Sequence, residues 1–141
     1  MKIKITNQQI GVLAEAIAAL DGRTENQLVD GKPVPIYRGY KLTAGGRWNL
    51  SRNLGRLQAV ITDFDRAKSA LVTQHSNGAG AISPRHPNFN AFAAEFQALH
   101  HQEVELDLDA LAPADLRLEE NENAGCGVPI AVLNALSPIL P

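Results

Sequence analysis

The chain has 141 residues, of which 45% are hydrophobic and 20% charged, which suits one globular domain spanning residues 1–141 and excludes two independent ones. No segment approaches the roughly 20 apolar residues of a membrane span, and no apolar block typical of a secretory signal follows the first lysines. A single cysteine, Cys126, excludes an internal disulfide. We therefore expect a soluble cytoplasmic protein.

The net charge of -2 hides an uneven distribution. Residues 1–68 contain eleven Lys or Arg and six Asp or Glu, whereas residues 69–141 contain two and nine. Such a field can steer an oppositely charged partner or draw copies of the chain together. The basic excess is too small for a dedicated nucleic-acid-binding protein, so we expect no nucleic-acid partner.

The first elements in chain order are a strand, a helix and a hairpin. Residues 2–5 (KIKI) alternate polar and apolar, which predicts a strand. Apolar residues at three- and four-residue steps then predict a helix over residues 7–20, ended by Asp21-Gly22. Asp30-Gly31, between QLV and KPVPIY, predicts a hairpin, and the prolines at 33 and 35 confine its second strand to a sheet edge.

One long helix is predicted within residues 43–76. Its apolar seam repeats by threes and fours through Leu50, Leu54, Leu57, Ile61, Phe64, Ala67 and Leu71. About thirty helical residues extend roughly 45 Å, whereas a compact domain of this length has a radius of gyration near 14 Å. The helix should therefore overhang its own core and lie against a partner, which predicts a homo-oligomer.

The second half of the chain completes an α+β fold. A loop over residues 76–87 precedes a helix from Asn88, whose Phe89, Phe92 and Phe96 should pack on the seam and dominate stability. Strict alternation over residues 103–109 predicts a strand that pairs with residues 2–5. A short helix beginning with Pro129 should cover the core. The predicted architecture is a long antiparallel helical hairpin with a short N-terminal helix and a small antiparallel sheet.

The stretch TAGGRW, residues 43–48, has two interpretations. Its glycines and Arg47 could cradle a phosphate, but the spacing matches neither GxxxxGK[ST] nor GxGxxG. We favour the alternative that Thr43 caps the helix and the glycines form its first turn.

A second candidate site combines cations with aromatic residues. Two aromatics interleaved with cations can hold a nucleotide by stacking and charge. The ordinary explanation of the arginines, which we favour, is a solvated helix face with salt bridges such as Asp63–Arg66 or Asp63–Arg56. Trp48 lies off the seam and is either a contact anchor or core padding. The candidate ligand- or partner-binding residues are Tyr37, Arg38, Tyr40, Arg47, Trp48, Arg52 and Arg56.

No catalytic or metal-binding pattern is present. Adjacent His100 and His101 point about 100° apart on a helix, and HxxxH and HExxH spacings are lacking, so we expect no metal and no cofactor. Cys126 lies between glycines but has no motif that links it to a base. We therefore expect a protein that is not an enzyme.

The order of these elements resembles a family of small proteins of unknown function encoded by tailed phages and prophages. The segments that carry the resemblance are LDGR, YKLTAGGRWNLSRNLGRL, FDRAKSAL, VELDLD and VLNALSPIL. It implies an accessory role in the host bacterial cytoplasm or in the virion, with a phage or host protein as partner. Two functions follow as expectations: a protein-binding assembly component or inhibitor of host defence, or a sponge that holds a nucleotide signal between subunits.

Overall fold

The computed structural model describes residues 1–21, 23–125 and 127–141, with the side chains of residues 23–25, 37 and 38 left out. The fold is α+β, as predicted. The strands are β1 (Lys2–Thr6), β2 (Arg23–Val29), β3 (Lys32–Arg38) and β4 (Glu103–Asp107). The α-helices are α1 (Asn7–Asp21), α2 (Ala44–His75), α3 (Phe89–His101), α4 (Leu118–Asn123) and α5 (Ile130–Leu136), and short 3-10 helices span Pro113–Leu116 and Ser137–Ile139.

The strands form two separate two-stranded antiparallel sheets, β1 with β4 and β2 with β3, and both predicted pairings are confirmed. In the first sheet Lys2 lies opposite Asp107, and the Lys2 ammonium is 3.9 Å from the Glu105 carboxylate. The terminal ammonium of Met1 donates to Asp107 Oδ1 at 2.8 Å. That hydrogen bond and its positive charge hold the pKa of the Asp107 carboxyl below its usual value.

Helix α1 lies at the centre of the core. It starts with a reciprocal cap, in which the Gln9 amide donates to Thr6 Oγ1 and the Thr6 amide donates to Gln9 Oε1. It packs against α2, α3 and α5. The described core consists mainly of its apolar face and residues that close over it: Ile5, Ile10, Leu13, Ala14, Ala16, Ile17, Leu20, Leu50, Leu57, Leu108, Leu111, Leu116, Leu136 and Ile139.

The expected dominance of the three phenylalanines is therefore wrong. Of Phe89, Phe92 and Phe96 only Phe92 is buried, because the part of α3 that carries them lies along the second half of α2, and only the carboxyl end of α3 reaches α1. Phe64, Phe92 and Phe96 form a row of ring contacts between the two helices, with centroids 5.8 and 6.1 Å apart. This row joins the predicted helical hairpin but lies outside the main core.

The long helix is confirmed as one continuous element of 32 residues, roughly 48 Å at 1.5 Å per residue. Its four buried residues, Gly46, Leu50, Asn53 and Leu57, all lie in its first half. Beyond Leu57 the apolar seam is only half-buried under α3. The second half of α2 and α3 thus form an arm that the rest of the described chain does not enclose.

The acidic strand is shorter than expected. It ends at Asp107, and the Asp109 side chain, within the predicted strand, is only 27% exposed. The Asn53 side chain accepts from the Asp109 amide at 2.8 Å and donates to the Asp109 carbonyl at 2.9 Å. These bonds hold the backbone of Asp109 against α2.

The loop between α2 and α3 is tied at its ends. Asn88 stands at the cap position of α3, but its side chain donates to the His75 carbonyl at 3.0 Å and makes no cap hydrogen bond. Ser76, at the start of this loop, is buried.

Candidate interaction surfaces

The start of α2 is a helix cap, as favoured from the sequence. Thr43 Oγ1 accepts from the Gly46 amide at 3.0 Å and donates to Asp115 Oδ1 at 2.6 Å. A Cβ added to Gly46 would lie 2.8 Å from the Asp115 Cβ, so the space beside this glycine is filled. A phosphate here would meet a carboxylate and an amide that is already bonded.

Two of the candidate arginines are bound within the chain. Arg52 Nε and Arg56 Nη1 lie 3.5 and 3.4 Å from Asp109 Oδ2, and Arg56 also donates to the Asp107 carbonyl at 3.0 Å. Asp109 Oδ2 is buried and has no hydrogen bond of good geometry, so these guanidinium groups are its compensation. The basic and acidic parts of the sequence thus neutralise each other here, which weakens the field expected to steer a partner. The predicted pair Asp63–Arg66 is present at 3.6 Å.

Arg47 lies apart from the other two arginines. It donates to the Tyr40 carbonyl at 2.9 Å and lies 3.5 Å from the Asp21 carboxylate, while Tyr40 packs against the core. At about 100° per residue, Arg47 points roughly 140° or more from Arg52 and Arg56 around α2. The side chains of Tyr37 and Arg38 lie outside the described residues. A pocket that used all three arginines would need a surface from a second subunit.

Trp48 is 65% exposed, which excludes the core-padding alternative. It lies one helical turn before Arg52 on the outer side of α2. An exposed indole leaves a large apolar surface in contact with water. Tryptophan is also enriched among the residues that contribute most of the binding energy at protein interfaces. Trp48 therefore fits the contact-anchor interpretation.

The hairpin β2–β3 is uncovered. Residues 26–35 are all exposed, and the two strands pair only with each other. Leu28 is 75% exposed, Val29 47% and Val34 40%. By contrast with the sheet β1–β4, which contributes Ile5 to the core, none of the side chains that the structure describes in this hairpin is buried.

An open groove of about 620 Å³ runs between α1, α2 and α3. Its α1 wall includes the small residues Gly11, Ala14 and Ala18, and Ile61 and Phe64 of α2 lie opposite. Polar and charged side chains also line it: Asn7, Gln8, Glu15, Gln58, Asp65 and His100. Most of its accessible lining surface is nevertheless apolar, which suits an apolar contact surface.

Two asparagines, Asn53 and Asn121, are fully buried and were not among the residues predicted to be important. Asn53 holds the backbone of Asp109, as described above. Asn121 accepts from the Lys41 amide at 2.7 Å and donates to the carbonyls of Lys41, Leu116 and Arg117 at 2.9 to 3.1 Å. For Asn53 a signal existed, since it lies three residues after Leu50 on the apolar seam. Asn121 lies in the polar run EENENAG, where nothing distinguishes it from its neighbours.

Comparison of the chain with protein families, curated proteins and solved structures finds no match. Among the described residues, no group of three or more His, Cys, Asp or Glu side chains is arranged to hold a metal ion. Cys126 lies outside the described residues. No helix in the described ranges is long and apolar enough to cross a membrane.

Proposed function

We propose that this protein acts without catalysis by binding other protein chains and that it forms a homo-oligomer. One observation carries the proposal: the hairpin β2–β3 is exposed on both faces from residue 26 to residue 35 and pairs with no other strand of the described chain. A two-stranded sheet alone is marginally stable in water, and stability normally needs a third strand or a packed helix. The partner that this hairpin lacks within the described chain is supplied by another chain.

The arm formed by α3 and the second half of α2 supports the same proposal. Its aromatic row is only partly covered, and the apolar groove opens at its base. Trp48 adds an exposed aromatic side chain on the same long helix. Contiguous uncovered apolar surface on a domain of this size is typical of protein interaction sites.

The resemblance to phage-encoded proteins suggests the kind of partner. Within the proposal, the oligomer is either a component of virion assembly or an inhibitor of a host defence protein in the bacterial cytoplasm. The two roles differ in the partner and share the binding surfaces described above.

Mass in solution tests the proposal. Light scattering coupled to gel filtration, repeated over a wide range of protein concentration, should give a mass above the 15.2 kDa of one chain. Chemical cross-linking should join subunits at the same concentrations. A particle that remains at the mass of one chain throughout would count against the homo-oligomer.

The nucleotide-sponge hypothesis stays a prediction that requires the oligomer. Because Arg47 points away from Arg52 and Arg56, the nucleotide would lie between subunits, where one copy supplies Arg47 and the other supplies the pair. Calorimetry with cyclic and ADP-ribose-type nucleotides tests it, and the absence of binding heat with all of them would end it.

A further inference from the structure

The two edges of the hairpin β2–β3 are chemically different. Asp30 and Gly31 both have positive φ, 52° and 75°, as in a two-residue type I′ turn. The flanking residues Val29 and Lys32 are therefore a hydrogen-bonded pair, and bonded pairs alternate with non-bonded ones along the ladder. In the non-bonded pairs Leu28–Pro33 and Asn26–Pro35, the backbone amide positions point away from the hairpin.

The outer edge of β3 is closed to strand addition. Pro33 and Pro35 occupy two successive outward-facing positions, and proline has no N–H to donate there. A strand laid along this edge would lose hydrogen bonds at both positions and would meet two pyrrolidine rings. Proline on an exposed edge is a known protection against unwanted pairing.

The outer edge of β2 has no such protection between residues 26 and 29. Asn26 and Leu28 direct free backbone amides and carbonyls outward, opposite the two prolines. Asn26, Gln27, Leu28 and Val29 are uncharged and exposed, so no charged side chain repels an incoming strand along this stretch. The outer edge of β2 is therefore available for pairing with another strand, whereas the outer edge of β3 is not.

We propose that the β2 edges of two copies of this chain pair antiparallel across a two-fold axis, giving a four-stranded sheet in the order β3–β2–β2–β3. An antiparallel edge is complementary to itself: with Asn26 of each copy at the axis, the two Asn26 residues pair with each other and Leu28 pairs with Thr24 of the other copy, so every outward amide of this stretch meets a carbonyl. In this register Glu25 and Arg23 lie opposite Gln27 and Val29 of the other copy, so no charged residue lies directly opposite another. Four strands exceed the number that a stable sheet needs. Pro33 and Pro35 of each copy then lie on the two outer edges of the four-stranded sheet, so no further strand can be added and assembly stops at two copies.

This inference rests on the proposed homo-oligomer, and one set of variants separates the two. Asn26→Pro removes the central outward amide, while the control Asn26→Thr keeps it with good strand propensity. Light scattering should give twice 15.2 kDa for the wild type and Asn26→Thr, and 15.2 kDa for Asn26→Pro. The double variant Pro33→Val/Pro35→Val opens the second edge and should assemble beyond the dimer, reversibly on dilution, whereas aggregates of a misfolded hairpin would not dissociate.

Amide hydrogen exchange measures directly whether the outward amides of β2 are hydrogen-bonded. In the dimer the amides of Asn26 and Leu28 should be as protected as those of Gln27 and Val29, which bond to β3 in every state. Dilution into the monomer range, or the Asn26→Pro change, should free the Leu28 amide and leave Val29 protected.

Each result counts for or against the pairing. A wild-type dimer that persists in Asn26→Pro overturns the β2 edge as the junction and leaves the homo-oligomer standing. A double proline variant that remains a dimer overturns the role of the prolines as the stop. A wild type that never exceeds 15.2 kDa overturns the second copy as occupant, together with the proposed homo-oligomer, and leaves the edge to a strand of another protein.

Discussion

The two sheets of this protein have the same architecture and opposite surroundings. Both are two-stranded and antiparallel, with five and seven paired positions. The sheet β1–β4 adds Ile5 to the core and continues into the fully buried Leu108, whose amide donates to the Met1 carbonyl at 2.9 Å. The hairpin β2–β3 has a favourable turn and a longer ladder, yet no residue from 26 to 35 is buried.

The difference shows that local signals determine whether two strands pair, whereas the environment determines whether the pair is stable. The first sheet derives its stability from the α1 core beside it. The second has a favourable turn, but none of its side chains from residue 26 to 35 packs in a core, which is why we propose that another chain completes it. Four experiments test this contrast.

The largest contrast is expected between leucines associated with the two sheets. Leu108→Ala empties a fully buried site after β4 and should lower the free energy of unfolding by about 2–5 kcal/mol. Leu28→Ala, on the hairpin, should change it by less than about 0.5 kcal/mol in the monomer. Urea unfolding of dilute protein measures both. A large loss in dilute Leu28→Ala would show that the hairpin packs on its own body.

Asn121 tests the junction at which the hairpin rejoins the covered body. Asn121→Ala leaves the Lys41 amide and buried carbonyls without partners, so we expect a loss of about 2–4 kcal/mol in urea unfolding. Asn123→Ala, on the exposed side of the same helix α4, is the matched control and should stay near wild type. If Asn121→Ala and Asn123→Ala lowered the free energy of unfolding equally, the buried hydrogen bonds of Asn121 would make no specific contribution to stability.

The paired glycines test the helix start that follows the hairpin. Gly46→Ala places a Cβ against Asp115 and should cost about 1–3 kcal/mol as that contact yields. Gly45→Ala meets nothing within 4 Å and should raise stability by up to about 1 kcal/mol through helix propensity. Thermal unfolding of the two variants should therefore shift in opposite directions, and shifts in the same direction would contradict the packing of Asp115.

The smallest effect is expected at the end of the covered sheet. Because the folded pKa of Asp107 lies below its unfolded value of about 3.9, its contact with the Met1 ammonium stabilises the fold above that pH. The contribution is lost as the pH falls through the folded pKa. Asp107→Asn should thus be slightly less stable than wild type near neutral pH and equal to it in strong acid. Concentrated salt should shrink the neutral-pH difference, because the pair is exposed.

Much of the fold could be predicted because its signals are local. The turn at Asp30-Gly31, the seam of α2 and the alternation over residues 103–107 each depend on neighbours in sequence. These features need no knowledge of the three-dimensional neighbours. The pairing of β1 with β4 is not local, but alternation in both segments was enough to predict it.

The location of the core and the fate of the arginines could not be predicted in the same way. Whether Phe96 or Ile17 is more deeply buried depends on which helix the residues after β4 cover, and no local pattern in the sequence determines that choice. Arg52 and Arg56 are bound by Asp109, more than fifty residues away, through a backbone bend that Asn53 enforces. The two prolines of β3 could be assigned to a sheet edge from the sequence. Their role in blocking further pairing became apparent only with the exposure of residues 26–35.

The pairing of β1 with β4 also imposes an order on folding. During synthesis β1 leaves the ribosome long before β4 exists, and the residues of α5 that close over α1 emerge later still. Contacts so distant in sequence slow folding relative to a purely helical bundle of this size. The nascent chain therefore leaves part of the apolar face of α1 exposed to water until the last of the residues that cover it, those of α5, have been made.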